Sequence, residues 1–398
     1  MSERHAQEPA RGQAGHEETG PADDVAVPRP AGARPSGDVT AQTEATAPPS
    51  GLEQHQVWLY LGAAVLGGAL GLAVPGVSAV TGVLLWPLLA ALLFATFVQT
   101  PLQRLREAGR DGPWLGTVLV ANGLVMPVFA LCLVAGVEVF GRVLVGSEAQ
   151  VTALALGLLL VLAVPCTDWF LTFSYLSWGD RAAAVVITPV NLVLQLVSLP
   201  VWVWLFTVLW GGIGAGVGGA GGGLPGLGAA LLSPGVITGA VLVVLVPLGA
   251  AAFFERSLQR SPVGEARRAR LARWPIPLLT AVVFLVAAGS APAAAEASGV
   301  LWVGALVCVV YLGGAVLAGT VAGDIAGLPR PQRRTLVCTL GTRNSFVVLP
   351  IALALPAGWE LAGAAIVTQS LVELLGMGLV SRWMAARAVR GEEAAPAL

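Results

Sequence analysis

The chain has 398 residues, of which 56% are hydrophobic and 11% are charged, and its formal net charge is −1. Soluble domains carry about 25% charged residues, so this composition excludes a water-soluble protein and predicts an integral membrane protein. The three histidines all precede the first apolar run, which excludes histidine-based metal, haem and serine–histidine catalytic sites from the membrane region. The four cysteines form no CxxC pair, so the spacing of a zinc site is absent as well.

The amino-terminal segment 1–55 is rich in Pro, Ala, Gly and acidic residues and contains no apolar run. Such a segment buries too little apolar surface to offset the entropy cost of folding. We therefore predict a disordered cytoplasmic tail. Residues 1–50 carry four arginines and eight acidic residues, a net charge of −4, which leaves +3 on the rest of the chain.

Long apolar segments begin at Val57 and continue almost to the carboxyl terminus. A helix needs about 20 residues to cross the roughly 30 Å hydrocarbon core of a bilayer. Of the 22 arginines, 20 lie near the two termini or in alternate loops, and the positive-inside rule therefore places both termini in the cytoplasm. We predict ten membrane-spanning helices, at 57–74, 79–100, 113–136, 149–177, 182–210, 234–254, 274–291, 299–322, 334–356 and 359–384.

A Gly-rich segment divides these spans into five and five. Because five is odd, the second half must lie inverted relative to the first. Inverted repeats are common in secondary transporters, whose substrate sites lie near the membrane midplane where helices are broken. We therefore predict an all-α fold with a first repeat at 56–210, a connector at 211–233, an inverted second repeat at 234–387 and a cytoplasmic tail at 388–398.

The fourth and ninth spans contain residues that interrupt helices. Span four carries VPCTDWF (164–170), in which Pro165 removes a backbone donor. Span nine carries GTRNSFVVLP (341–350), with breaks predicted at Gly341 and Pro350. Broken helices at membrane depth are tolerated only where they are buried in protein or line a cavity, so the two breaks indicate the position of the site.

Two charged side chains lie within these spans, Asp168 in the fourth and Arg343 in the ninth. Asp168 precedes Arg181 by 13 residues, roughly 20 Å along a helix, and Arg343 follows Arg334 by nine, roughly 14 Å. Both depths are near the middle of the bilayer, where an ionisable group costs at least about 2.5 kcal/mol. Groups of opposite sign offset this cost by pairing, so we hypothesise an Asp168–Arg343 contact, direct or through substrate.

Further polar residues are spaced to line the same cavity. Asn191 and Gln195 lie four residues apart, as do Gln369 and Glu373, so each pair shares a helix face. Glu373 is a candidate proton or cation site, whereas Asn191 and Gln195 are equally consistent with bonds between neighbouring helices. The candidate substrate and ion site comprises Cys166, Thr167, Asp168, Asn191, Gln195, Arg343, Asn344, Ser345, Gln369 and Glu373.

With these motifs the sequence resembles the bile-acid/sodium symporter superfamily and, within it, the arsenical-resistance (arsenite permease) branch, over about residues 55–385. The resemblance rests on PCTDWF in span four and GTRNSFVVLPIALALP in span nine. It implies ten helices in two inverted five-helix repeats, with helices four and nine broken and crossed.

The resemblance also implies roles for individual residues. Arsenite permeases have a functional cysteine after a proline on helix four, matched here by Cys166, and a thiolate is a suitable ligand for soft As(III). They also have a glutamate implicated in proton coupling on helix nine. With the motif aligned on Phe346, Val347 occupies that position, so the glutamate is absent. Asp168 or Glu373 would then take its role, or the coupling differs.

These observations predict a secondary active transporter that exports arsenite in exchange for protons. We expect the protein in the cell (inner) membrane, as a secondary transporter would be. The alternative is a sodium-coupled symporter of an organic anion whose carboxylate meets Arg343. A remote alternative is an intramembrane enzyme such as a protease with paired aspartates, which is disfavoured because only Asp168 lies clearly deep. We expect no enzymatic activity, cofactor, bound metal or nucleic-acid partner; the expected partners are the bilayer, the substrate and a proton or sodium ion.

Overall fold

The computed structural model describes residues 51–74, 76–99, 111–145, 147–167, 169–214, 246–254, 273–353 and 358–390, together with a few single positions. Throughout this part of the chain the regular secondary structure is helical. The one β-type contact found there is an isolated antiparallel bridge.

The first half of the chain contains seven named helices in its described ranges. A π-helical turn at Ala121–Val125 joins the third helix to the fourth without a break. The helices are α1 (Gly51–Ala73), α2 (Val77–Gln99), α3 (Gly112–Val120), α4 (Met126–Val145), α5 (Glu148–Leu162), α6 (Trp169–Leu176) and α7 (Arg181–Gly214).

The second half of the chain is also helical in its described ranges. Residues 246–254 are helical. Beyond them follow α8 (Pro275–Glu296), α9 (Ser298–Ile325), α10 (Arg330–Gly341), α11 (Ser345–Leu353) and α12 (Glu360–Val389).

Several of these helices are suited to a bilayer. In the described ranges, six helical segments are long and apolar enough to cross a membrane, and two shorter ones, Trp58–Ala73 and Glu148–Leu162, are also apolar. The described part of the chain is therefore all-helical, and its apolar helices indicate a multi-pass membrane protein. The six longer segments are Val80–Val98, Gly112–Gly141, Arg181–Leu205, Pro275–Pro292, Ser298–Ile325 and Glu360–Val389.

Several helix ends differ from the predicted boundaries; α4, for example, continues to Val145, past the predicted end of its span at 136. α1 begins at Gly51, inside the predicted tail, because the Leu, Glu and Gln residues that follow are good helix formers. α7 continues to Gly214, into the predicted connector, since glycine disfavours a helix by only about 1 kcal/mol per residue. α12 continues to Val389 through helix-forming alanines and Arg387. The rest of the connector and most of the span 234–254 lie outside the described residues.

α5 is enclosed by protein along most of its length. Each residue from Val151 to Leu162 is buried, and a helix that is apolar on every side is typical of such a position. α12 packs closely along α5: a Cβ at Gly157 would lie 2.8 Å from the Cα of Ala362 and 2.9 Å from the Cβ of Ala365. α5, α9, α10 and α12 pack mainly against one another and against α4. We call α5, α9, α10 and α12 the core helices.

α1, α2 and α8 form a second group. α8 packs along both α1 and α2. A Cβ at Gly67 would overlap the carbonyl group of Phe284, and one at Gly71 would overlap that of Ala288. Glycines four residues apart let two helix backbones touch, so α1 and α8 are joined backbone to backbone. We call α1, α2 and α8 the three-helix unit.

We predict that Gly157→Val lowers the free energy of unfolding by roughly 1–3 kcal/mol, because the backbone of α12 leaves no room for the added methyl groups. Thermal unfolding in detergent measures the change. Gly116→Val is the matched control, since a Cβ there meets nothing within 4 Å. Equal unfolding temperatures for the two variants would contradict the close packing of α5 on α12.

Candidate functional site

The candidate site lies where two interrupted helices meet. The first interruption separates α5 from α6, and the second, at 342–344, separates α10 from α11. The two extended segments run antiparallel, with a bridge between Pro165 and Arg343. The N–H of Asn344 donates to the carbonyl of Val164 at 3.2 Å. We call this contact the crossing.

Each interruption is followed by a helix whose first turn is capped by a side chain. The N–H of Trp169 in α6 donates to the sulfur of Cys166 at 3.3 Å. The N–H of Val347 in α11 donates to Oδ1 of Asn344 at 3.2 Å. Asn344 immediately precedes α11 and bonds its third N–H, as N-caps do, whereas Cys166 lies three residues before the first residue of α6. The positive ends of two helix dipoles therefore point towards the crossing.

Other side chains bond the backbone groups that the interruptions free. The hydroxyl of Tyr311 donates to the carbonyl of Leu162 at 3.2 Å. Nη2 of Arg343 donates to the carbonyl of Leu340 at 2.5 Å. The backbone N–H of Arg343 donates to Oε2 of Glu373 at 2.7 Å. Buried backbone groups are nearly always paired, so these residues have a structural role whatever else they do.

The guanidinium of Arg343 lies inside the protein, 2% exposed. Nη2 also donates to Oδ1 of Asn122 at 3.2 Å, and Cζ lies 5.3 Å from the centre of the Tyr311 ring. Asn122 belongs to the π-helical turn, a feature that often accompanies functional sites. The arginine therefore meets an amide and an aromatic face, which accommodate a buried cation.

Three polar residues link the first interruption to neighbouring helices. Nδ2 of Asn191 donates to the carbonyl of Cys166 at 3.0 Å and to the hydroxyl of Thr339 at 2.9 Å. Nδ2 of Asn122 donates to the same hydroxyl at 3.1 Å. α7, α10 and the π-helical turn are thereby joined at the crossing.

A second group of polar residues surrounds Asn344. Its Nδ2 donates to Oε1 of Gln195 at 2.8 Å, and the hydroxyl of Thr167 lies at 3.4 Å. Thr167 and Gln195 are both 1% exposed. This group joins α7 to both interruptions.

A third group lies on α12. The hydroxyl of Ser345 donates to Oε1 of Gln369 at 2.9 Å. Nε2 of Gln369 donates to Oε2 of Glu373 at 2.6 Å, across one helical turn as their spacing predicts. The carboxylate of Glu373 therefore contacts the second interruption through both Gln369 and a backbone N–H.

Some buried polar atoms of these groups have no hydrogen-bond partner within the described part of the chain. They are Nε and Nη1 of Arg343, Nε2 of Gln195 and Oε1 of Glu373. Burying such atoms unpaired is unfavourable, so a ligand that accepts from the first three and donates to the fourth is stabilised. The residues around the crossing thus have hydrogen-bond donors and an acceptor that the described fold does not use.

Nine of the ten predicted site residues are brought together at the crossing and on the helices against it. The tenth, Asp168, lies outside the described residues, and so does its predicted contact with Arg343. Among the described residues, no group of three or more His, Cys, Asp or Glu is placed to hold a metal ion.

One predicted helix break is wrong. Pro350 lies inside α11 and does not end it. A proline beyond the first turn removes one intrahelical hydrogen bond, a loss that surrounding helices compensate for in membrane proteins. Gly341 is the last residue of α10, and Pro165 lies in the first interruption.

Sequence reasoning does not identify three residues of the site, Asn122, Thr339 and Tyr311. The available signal for Asn122 was an amide within an apolar span, and that for Tyr311 a tyrosine in the middle of another. Thr339 gives no such signal, since threonine is common in membrane helices, where it bonds neighbouring helices.

A family model described as the Sodium Bile acid symporter family matches residues 86–218, a range that includes the first interruption and ends before the second. No curated protein matches the chain. The match and the apolar helices together indicate a multi-pass membrane transport protein, similar over 86–218 to sodium/bile-acid symporters.

Proposed function

We propose that the protein is a secondary active transporter of the cell membrane that carries a small substrate through the crossing. The observation that carries this proposal is the set of buried, unpartnered polar atoms on Arg343, Gln195 and Glu373, beside two broken helices that touch. Transporters commonly place substrate and ion sites at broken helices, where backbone dipoles and free polar groups face the ligand.

The proposal includes ten spans in two inverted repeats, 56–210 and 234–387, with both termini in the cytoplasm. Its support is the correspondence between the interruptions. Each is followed by a short helix, and each carries a cap three residues before the bonded N–H, Cys166 for α6 and Asn344 for α11. Transport would then proceed by movement of the core helices against the three-helix unit.

The first candidate substrate is arsenite, which the transporter would export. Cys166 supports it, because its thiol lies in the first interruption, 3% exposed, and sulfur is a preferred ligand of soft centres. The hydroxyl groups of arsenite both accept and donate hydrogen bonds. They would therefore satisfy the donors of Arg343 and Gln195 and the acceptor of Glu373.

The coupling ion of the first candidate is a proton, and Glu373 is its proposed carrier. The glutamate that arsenite permeases have on helix nine is absent here. Glu373 approaches the same segment from α12, since its Oε2 accepts from the backbone N–H of Arg343, and its Oε1 is buried without a partner in the described chain. A change in its protonation would therefore act directly on the second interruption.

The second candidate is sodium-coupled transport of an organic anion. Two observations favour it: the match of residues 86–218 to the Sodium Bile acid symporter family, and the unpartnered Nε and Nη1 of Arg343. Each of these N–H groups can donate a charge-assisted hydrogen bond to a carboxylate oxygen.

Cys166→Ser should decrease arsenite export by roughly tenfold or more, about 1.4 kcal/mol of lost affinity. Serine retains the cap on Trp169 but removes the soft ligand, so the change isolates the thiol. Arsenite uptake into everted membrane vesicles measures it, and Cys132→Ser, at an exposed cysteine, is the control. If the wild-type protein reaches the membrane yet moves no arsenite, the first candidate is wrong.

Glu373→Gln should abolish arsenite accumulation driven by a proton gradient, whereas arsenite exchange should persist at a reduced rate. Glutamine can still accept from the N–H of Arg343, but it carries no ionisable proton. Accumulation and exchange are measured in proteoliposomes with and without an imposed pH difference. Glu360→Gln, at the start of the same helix, is the control and should behave as wild type; retained gradient-driven accumulation in Glu373→Gln would exclude Glu373 as the carrier.

Arg343→Gln should weaken sodium-dependent uptake of cholate, a bile acid with a free carboxylate and the probe for the second candidate, by roughly 30-fold or more. The basis is that removing one partner of a buried charged hydrogen bond costs about 2–5 kcal/mol. Arg333→Gln removes a surface arginine that pairs with Asp324 and serves as the control. Uptake that does not depend on sodium, or that survives Arg343→Gln, would count against this candidate.

A further inference from the structure

α1 carries a buried stripe along one side. Gln56, Tyr60, Gly67 and Gly71 follow the spacing of a helix face. Trp58 on the opposite side of α1 is 66% exposed. The glycine end of the stripe is joined to α8 through direct backbone contact. The Gln56 and Tyr60 end meets a different part of the protein.

That amino-terminal end of the stripe contacts α6, the helix that follows the first interruption. The rings of Tyr60 and Trp169 are stacked, with centres 5.5 Å apart and planes 8° from parallel. Nε2 of Gln56 donates to the hydroxyl of Thr172 at 2.9 Å, and the hydroxyl of Tyr60 donates to Oε1 of Gln56 at 3.4 Å. One amide thus joins the tyrosine to the threonine.

The aromatic contact continues to the second interruption. The rings of Trp169 and Phe346 lie 5.5 Å apart and are tilted by 59°. Trp169 is bonded through its N–H to Cys166, and Phe346 is the second residue of α11. Tyr60, Trp169 and Phe346 therefore form a row that begins on the three-helix unit and ends at the starts of both half-helices.

The two ends of the α1 stripe are held differently. At Gly67 and Gly71 two backbones are in contact, and separating them would open a gap along the helices. At Gln56 and Tyr60 the contacts are a ring stack and a hydrogen bond between neutral side chains, both of which reform readily. The moving parts of a transporter need contacts that break and reform readily, like those at Gln56 and Tyr60. Two conformations are both populated only when the contacts made in each differ little in free energy.

We propose that Gln56, Tyr60, Trp169, Thr172 and Phe346 form a latch that closes the crossing from the side of α1 and opens in another state of the transport cycle. Gln56 and Tyr60 would be its half on the three-helix unit, and Trp169, Thr172 and Phe346 its half on the interrupted helices. The inference rests on the proposed transport function, but opening of the latch is measurable without transport.

The first experiment measures opening directly. In a Cys132→Ser background, Thr172→Cys provides a thiol for alkylation by N-ethylmaleimide in membranes. Adding Tyr60→Ala should raise the alkylation rate about tenfold, whereas adding Trp58→Ala on the exposed side of α1 should not change it. Equal rates in the two proteins, each verified as folded by its thermal unfolding, would overturn the proposal.

The second experiment locks the latch. Gln56→Cys with Thr172→Cys, oxidised by copper phenanthroline, should lose at least nine-tenths of arsenite transport and regain it after reduction. Ser177→Cys beside native Cys338 is the matched control, because the hydroxyl of Ser177, the residue after α6, lies 3.4 Å from the thiol of Cys338 on α10. That cross-link does not join the interrupted helices to the three-helix unit, so transport should continue.

Each outcome is decisive. Unchanged transport in the oxidised Gln56→Cys/Thr172→Cys protein would show that the contact does not open and would refute the latch. If no variant, including the unmodified chain, moves arsenite, the arsenite proposal fails and the alkylation rates alone decide the latch. A rate increase that is specific to Tyr60→Ala would then still support it.

Discussion

The structure depends on how backbone hydrogen bonds are satisfied where two helices stop in the interior of the protein. A freed N–H or carbonyl that is buried there is unfavourable unless it finds a partner. Here the two interruptions bond each other between Asn344 and Val164, and side chains bond most of what remains. Cys166 and Asn344 cap the helices that follow, and Tyr311 bonds the last carbonyl of α5. Polar residues that look exceptional in the sequence are therefore required by the fold.

The need to pair these backbone groups helps to distinguish polar side chains that stabilise the fold from polar atoms that could bind a ligand. An amide or hydroxyl at the crossing does not by itself indicate a substrate, because each one bonds backbone or another side chain. The informative atoms are the few left over, on Arg343, Gln195 and Glu373. They are also close to the segment that links α10 to α11, so a ligand bound by them would contact the part of the chain least constrained by regular structure.

Much of this arrangement can be predicted from the sequence, and the parts that cannot be predicted have physical reasons. Pro165 and the Gly341–Asn344 segment predict interruptions because proline lacks an N–H and a charged residue is costly at depth. The four-residue spacing predicts the Gln369–Glu373 hydrogen bond. The role of Asn122 depends on a π-helical turn, and that of Tyr311 depends on which face of α9 meets α5. Neither is encoded in local periodicity, since both arise from packing between distant segments.

Because of the π-helical turn at Ala121–Val125, the site depends on the number of residues between α3 and α4 as well as on which residues they are. Each residue in an α-helix turns the next by about 100°, so the extra residue in this turn rotates α4 relative to α3. Loss of one residue there would restore a continuous α-helix and turn Asn122 away from Arg343 while leaving every other site residue unchanged. Two relatives of this protein could thus share all the polar residues of the crossing and still differ in how their buried arginine is held.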